Sequence, residues 1–334
     1  MTSSVHERMI KKYDIQNNDV PPNEETYFDR LLQSEWRDRM CKGLFRYYFD
    51  KPEAEKGLMD GKYGFLAQYC PLRSTNRRKP QSMLSVNAPF DPQKFHFGKV
   101  NESEILFEIK EKNEKDPRRH SILINASPFE TFHSLLVPDI QSQTPQKLSQ
   151  KAIELALCII FQSGSRSLRL AFNSLCAYAS VNHCHWHIHY LSRILYIQTC
   201  PLIPLFDSFL WEFEDYSAPG FVFVVPHEKE LVPMSRKIHA LTSFLSENSI
   251  AHNVIMVRGE NNEVRIIVWA RNSIFGNKDP GAFGIAVCEL GGQILIYSKD
   301  KYDAITEMEI IDAHKEATNP YFENVKAQLN NIPF

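Results

Sequence analysis

The sequence predicts an α+β protein made of two related halves, each an antiparallel sheet with packed helices. Three observations lead there. Short apolar runs at 105–109, 121–125 and 134–137 are bounded by charged or turn-forming residues, as antiparallel strands are. Longer segments near 144–164 and 233–247 repeat apolar residues at helical spacing. The order of strand, helix and paired strands then recurs along the chain, without a clean sequence repeat. On this pattern the chain divides into an N-terminal tail, helix and basic loop over 1–87, a first half over 88–200 and a second half over 201–334.

Each element has a local reason. Residues 1–20 read as a loose tail, and Pro21-Pro22-Asn23 introduces a helix that carries Tyr27, Leu31, Trp36, Met40 and Leu44 to about Tyr48. Residues 72–90 hold Arg73, Arg77, Arg78, Lys79 and Pro80 and read as a loop. The charged stretch 111–119 joins the first two strands as a hairpin loop. Thr144-Pro145 serves as N-cap and first turn of a helix through Leu148, Ile153, Leu157 and Ile160 that ends near Gly164. Strands follow near 168–173 and 180–190. The second half offers a strand at 221–225, a helix at 233–247, strands at 253–257 and 264–270, and two more at 282–288 and 293–297 around Gly291-Gly292.

Composition narrows the function. With 43% hydrophobic and 23% charged residues, the 334-residue chain can bury a sizeable core. A formal net charge of -2 gives no general attraction to nucleic acid or to an anionic membrane, so phosphate binding has to be local. No apolar run reaches the roughly 18 residues of a membrane span. The polar first twenty residues lack a secretory pattern. The seven scattered cysteines show no CxxC and read as reduced thiols of a cytoplasmic protein.

The sharpest feature is Asn182-His183-Cys184-His185-Trp186-His187-Ile188-His189. On a strand, alternate side chains share a face, so the histidines line one side and Cys184, Trp186 and Ile188 pack on the other. Three readings of the residues stand open. The strand could be a solvated polar one. It could hold a metal, although residues two apart lie about 6.6 Å apart and residues four apart about 13 Å, so one ion cannot collect His183, His185 and His187 together. Or a neutral imidazole could attack a phosphoanhydride, with flanking histidines donating to phosphate oxygens.

The segment resembles the signature of the histidine triad superfamily, whose nucleophile is the middle histidine, here His185. Upstream, Ile124-Asn125-Ala126-Ser127-Pro128 and His133-Ser134-Leu135-Leu136-Val137-Pro138 look like the earlier strand motif of that superfamily, and Asn173 matches an asparagine near the nucleotide phosphate. Leu168 to Leu175, Ala177 to His183, Asp91 to Phe97, Arg77-Arg78-Lys79-Pro80 and Ile267 to Arg271 are similar to the branch of GDP-L-galactose and GDP-D-glucose phosphorylases, from about residue 70 onward. That branch is related to galactose-1-phosphate uridylyltransferase.

The resemblance implies two fused triad-like halves, the second without its histidines, and a monomer. It implies the reaction of GDP-D-glucose and inorganic phosphate to α-D-glucose 1-phosphate and GDP through a guanylylated His185, a reaction that would control GDP-glucose levels. No metal and no cofactor are implied. His183, Asn173 and Ser180 would hold non-bridging oxygens, with His187 beside the bridging oxygen. Asn182, Arg77, Arg78 and Lys79 would bind substrate, the three cations unless their loop is merely solvated. His133 and Asn125 either line the site or are structural. His187 stands where transferases of the superfamily often carry Gln, so phosphate and water compete as second nucleophile. A triad hydrolase and a non-catalytic nucleotide-binding regulatory protein are the alternatives.

Overall fold

The computed structural model describes residues 12–14, 24–49, 55–110, 118–276 and 283–334. The expected tail and the 111–119 loop fall mostly outside these residues. Among the described residues there are two sheets. The large one has eleven strands: β1 (Lys12–Asp14), β4 (Ile105–Lys110), β5 (His120–Ile124), β6 (Ser134–Val137), β7 (Leu168–Asn173), β8 (Trp186–Tyr190), β9 (Leu202–Phe206), β10 (Leu210–Phe213), β11 (Phe221–Val225), β12 (Ala251–Arg258) and β13 (Val264–Arg271). The small one joins β2 (Glu55–Leu58), β3 (Leu66–Tyr69) and β14 (Gln293–Ile296). The helices are α1 (Tyr27–Cys41), α2 (Pro71–Asn76), α3 (Gln150–Gln162), α4 (Tyr196–Thr199), α5 (Leu231–Glu247), α6 (Val287–Leu290), α7 (Lys299–Ala304) and α8 (Glu307–Lys326).

The large sheet carries the two halves edge to edge. Its order is β1-β4-β5-β6-β8-β7-β12-β13-β11-β10-β9, and every pairing from β4 to β9 is antiparallel. The run β5-β6-β8-β7 in the first half has its counterpart in β10-β11-β13-β12 of the second. In each half one long helix, α3 between β6 and β7 or α5 between β11 and β12, links the second strand of the run to the last. The two helices pack on each other. The seam is the β7–β12 ladder, where Asn173 lies opposite Asn253 and Phe172 opposite Val254.

Strand alternation sorts the core into two. One face buries Leu170, Phe172, Trp186, Ile188, Val254 and Val268 under α1, α3 and α5. The other buries Ala171, Ile255, Ile267 and Trp269 against β3, β14 and α6. This is the period of two that the apolar runs carry.

Several elements differ from expectation for identifiable reasons. α1 stops at Cys41 rather than near Tyr48, because Gly43 turns left-handed at φ +67° and the N–H of Leu44 bonds back to Arg39 O at 3.2 Å. α3 is capped by Ser149, whose Oγ accepts from Ala152 N–H at 3.1 Å, and not by Thr144. The strand expected over 180–190 is ordered into the ladder only from Trp186. The segment expected as a strand at 282–288 instead ends in α6, where Glu289 bonds back to Ala286 N–H. The strands β9 and β10 and the C-terminal helix α8, with Pro320 inside it, escape the sequence pattern.

Asp29 ties the first helix to the sheet. It is fully buried, and its carboxylate accepts from Ser163 Oγ (2.6 Å), Tyr190 OH (2.7 Å), Gly164 N–H (3.2 Å) and Thr26 N–H (3.1 Å). Asp29→Ala strands these donors in the interior, and a loss of roughly 3–5 kcal/mol of stability is expected. A denaturant midpoint unchanged from the parent protein would contradict this account of the α1 anchor.

Candidate functional site

Where β7 and β8 diverge, a glutamine side chain takes the place of the missing rungs. Gln146 is buried, and its Oε1 accepts the N–H of His185 at 2.9 Å. Its Nε2 donates to Asn173 O at 2.9 Å and to His185 O at 3.2 Å. The loop holding His183 and His185 is thus pinned to β7 by one amide. Thr144 O accepts Cys184 N–H at 3.1 Å, completing the attachment. The Thr144-Pro145 pair therefore does not start a helix; it delivers Gln146.

His185 has a defined tautomer. Its Nδ1 lies 2.7 Å from the carbonyl oxygen of His183, which can only accept, so the proton is on Nδ1 and Nε2 carries the in-plane lone pair. The ring packs 4.9 Å from that of Phe97 and 5.2 Å from that of His187. His187 shares one proton with His133: its Nδ1 is 3.0 Å from His133 Nε2. Asn125 Nδ2 donates to that same His133 nitrogen at 2.9 Å, held in this sense because its Oδ1 accepts Ser127 N–H at 3.1 Å. His133 Nε2 is then the acceptor, and the shared proton belongs to His187. The 3.4 Å approach of Phe129 N–H to His133 Nδ1 is the weaker constraint. Burial, with His185 and Arg73 nearby, holds His187 well below the usual histidine range.

Asn173 is oriented by the second half. Its Oδ1 accepts from Asn253 Nδ2 at 2.6 Å and from Val287 N–H at 3.1 Å, which leaves its Nδ2 as the donor toward the cavity. Cys176 and Tyr178 follow with left-handed φ of 60° and 73°. Gly284 approaches so closely that a Cβ there would stand 2.8 Å from the Tyr178 ring.

A cavity open to solvent lies over these groups. His185, His187, Asn173, Ser180, Asn125, Arg77 and Arg78 all line it, so seven of the residues singled out in the sequence converge. Four do not reach it among the described residues. His183 uses both ring nitrogens on the backbone, accepting Phe97 N–H at 3.1 Å and donating to Ser142 O at 2.9 Å, so it has no nitrogen to offer a phosphate. Asn182 donates to Ala88 O and Pro89 O and accepts Gln146 N–H, which makes it a loop brace. Lys79 is exposed outside the cavity, and His133 is buried behind His187. Arg169 and Arg271 are buried clamps on backbone carbonyls, such as Leu191 O and Ile285 O, rather than ligand or surface groups.

The wall also holds groups the sequence does not announce. Arg46 and Arg73 join Arg77 and Arg78, and Glu104, Glu289 and Tyr297 add to the polar lining. Arg73 is legible only as part of a basic run, and Arg46 has no signal in the sequence. Arg73 donates to Ser127 O and lies over the Phe129 ring at 5.3 Å. Burial pushes the Glu289 carboxyl up to about 7. Among the described residues, no group of three or more His, Cys, Asp or Glu is arranged to hold a metal.

Two family models match the chain: "GDPGP1-like, N-terminal domain" over residues 27–189 and "GDPGP1-like, C-terminal domain" over 208–332. GDP-D-glucose phosphorylase 1 of Danio rerio is 37% identical over 90% of this chain and 89% of its own length. The Homo sapiens protein of that name is 34% identical over 90% and 83%. Among solved structures, yeast Ap4A phosphorylase Apa2 in complex with Ap4A has the same fold, with a TM-score of 0.60 at 18% identity, covering 88% of this chain and 98% of its own.

Buried histidines set the acid behaviour of the fold. Burial pushes His183, His252 and His314 from 6.5 down to about 4, and His189 down to about 3. Between 6.5 and 4 the unfolded chain binds protons that the folded chain refuses. Stability is therefore complete above pH 6.5 and is lost as pH falls toward 4, on the order of 1–2 kcal/mol per histidine by pH 5. Urea unfolding at pH 7.5, 6 and 5 checks this; a constant free energy down to pH 5 would refute it.

Proposed function

Because the chain belongs to the GDPGP1-like family, we propose that it is a GDP-D-glucose phosphorylase, converting GDP-D-glucose and inorganic phosphate to α-D-glucose 1-phosphate and GDP. The observation that carries the reading is His185: its tautomer presents Nε2 in a cavity that also holds four arginines. In the first step Nε2 attacks the α-phosphorus, a P–N bond forms, and the bond from phosphorus to the bridging oxygen breaks, releasing glucose 1-phosphate. In the second step an oxygen of inorganic phosphate attacks the guanylylated His185, the P–N bond breaks, and GDP leaves.

The roles follow from the donors available. Asn173 Nδ2 and the Ser180 hydroxyl stabilise the non-bridging oxygens, where charge accumulates. Arg73 and Arg77 balance the diphosphate and the incoming phosphate. His187 sits beside the bridging oxygen, and Asn125 with His133 fixes its tautomer. His183 contributes its carbonyl, which holds the His185 proton, and its ring anchors the loop to Phe97 and Ser142. Gln146 is a positioning residue for both His185 and Asn173. The chain would act as a monomer, since the β7–β12 ladder already joins two triad-like sheets. Its seven free thiols suit the cytoplasm.

The test is phosphate dependence. Purified protein with GDP-D-glucose should release glucose 1-phosphate only when phosphate is supplied. Equal turnover in water alone would make the protein a hydrolase. His185→Asn should lower turnover on the order of 10⁴-fold or more and abolish an acid-labile guanylyl adduct; a variant that keeps its adduct removes His185 from this role. Gln146→Ala should slow adduct formation about 10- to 100-fold with a smaller change in nucleotide affinity, and a variant with unchanged single-turnover rates would deny Gln146 its positioning part.

A further inference from the structure

The cavity has two chemically distinct ends. Toward Asn173 it is polar, with Arg73, Glu289 and Tyr297. Beside His185 it is also lined by an apolar cluster that includes Phe95, Phe97, Val100, Leu123 and Leu135. The Phe97 ring stands 4.9 Å from His185 and 5.8 Å from Phe95. A flat aromatic base attached through a ribose to the phosphorus at His185 fits against this cluster.

One acid faces that end. Glu104 lines the cavity at the end of the short turn 102–104, immediately ahead of β4. Its carboxylate is fixed rather than loose: Oε1 accepts Asn101 N–H at 3.1 Å, while Asn101 Oδ1 caps Ser103 N–H at 2.9 Å. Arg78 lies 3.1 Å over the Phe95 ring, and Arg46 and Glu104 are the charged groups that act on it. Neither arginine is within ion-pair distance of Glu104 among the described residues. The other acid of the cavity, Glu289, turns both oxygens to backbone N–H groups, of Ala286 at 2.9 Å and Leu295 at 3.4 Å, on the Asn173 side.

We propose that Glu104 and Arg78 read the base as guanine. The Glu104 carboxylate accepts the N1–H and the exocyclic N2–H, and Arg78 donates to O6 or N7. Guanine presents two adjacent donors beside an acceptor, which this acid and base complement. Adenine presents an acceptor at N1 and no amino group at C2, so it would leave the carboxylate unpaired in a partly desolvated site. Hypoxanthine keeps N1–H and loses only the amino group. This assignment rests on the guanylyl-transfer reading above and names the residues that make it guanylyl.

Calorimetric titration with GDP, IDP and ADP tests it without turnover. The parent protein should bind GDP roughly 10- to 100-fold more tightly than ADP, with IDP between them. Glu104→Gln should lose about that factor for GDP and little for ADP, so that the preference collapses. Asn101→Gly removes the brace from the loop but keeps the carboxylate, and should retain the order GDP, IDP, ADP; this separates base reading from loop damage. An unchanged GDP-to-ADP ratio in Glu104→Gln overturns the assignment while leaving the phosphorylase reading intact. Equal binding of GDP and ADP by the parent protein overturns it without any variant. Absence of binding by every nucleotide would bring down both readings.

Discussion

The seam between β7 and β12 is the constraint on which the site depends. Its ladder of antiparallel bonds runs from Leu170 opposite Met256 to Asn173 opposite Asn253. The rung at its end is also the anchor of the cavity: Asn253 holds Asn173 by its Oδ1 and Ala177 by its carbonyl, with 2.6 and 2.9 Å bonds. An asparagine amide in free rotation would offer oxygen and nitrogen alike to a phosphate. Here the orientation is decided by the second half, whose Asn253 and Val287 both donate and so select the nitrogen for the cavity.

The second half carries apolar core residues on the strand that pairs with β12, where the first half carries histidines on the strand that pairs with β7. In the first half Ala171 faces His187 and Arg169 faces His189. The same rungs of the second half pair Asn253 with Trp269 and Ala251 with Arg271. On β13, Ile267 is fully buried with Trp269 in the core. Trp269 donates to Ala218 O at 3.1 Å, and only a glycine fits at 220, where a Cβ would come 2.9 Å from the indole. An apolar plug fills the place of a pocket, and α8 packs along β13. Packing of this kind is worth more to stability than polar side chains there would be.

The sequence carried the periodic part of this design and not the irregular part. Alternation identified β8, the apolar runs identified β4 to β7 and β11 to β13, and the triad and the Asn125 to Val137 motif brought His185, His187, Asn173 and Asn125 to one cavity. Alternation also over-reached, since it extended β8 back through His183, whose ring in fact serves two backbone partners. Gln146, Arg46 and Glu104 were invisible because each acts from a loop or a helix end, where no period marks a side chain. Their partners are distant in sequence: Arg46 bonds across to Asn76 O, and Gln146 to the backbone of Asn173 and His185. A capping box such as Asn101 to Glu104 is legible as a turn, but nothing in it says that the turn borders a cavity.

A sheet continued through a seam within one chain has a consequence for how such a site can vary. In an assembly of two identical subunits, a substitution is made on both sides of the axis at once, so any residue improved for one role is imposed on its twin. Here Asn253 can be shaped to hold Asn173, Trp269 to fill space and His187 to face the cavity, each without a copy elsewhere. Continuity of the chain gives the two walls of the cavity separate sequence freedom. One wall holds the His185 imidazole, and the other holds the Asn173 amide in place.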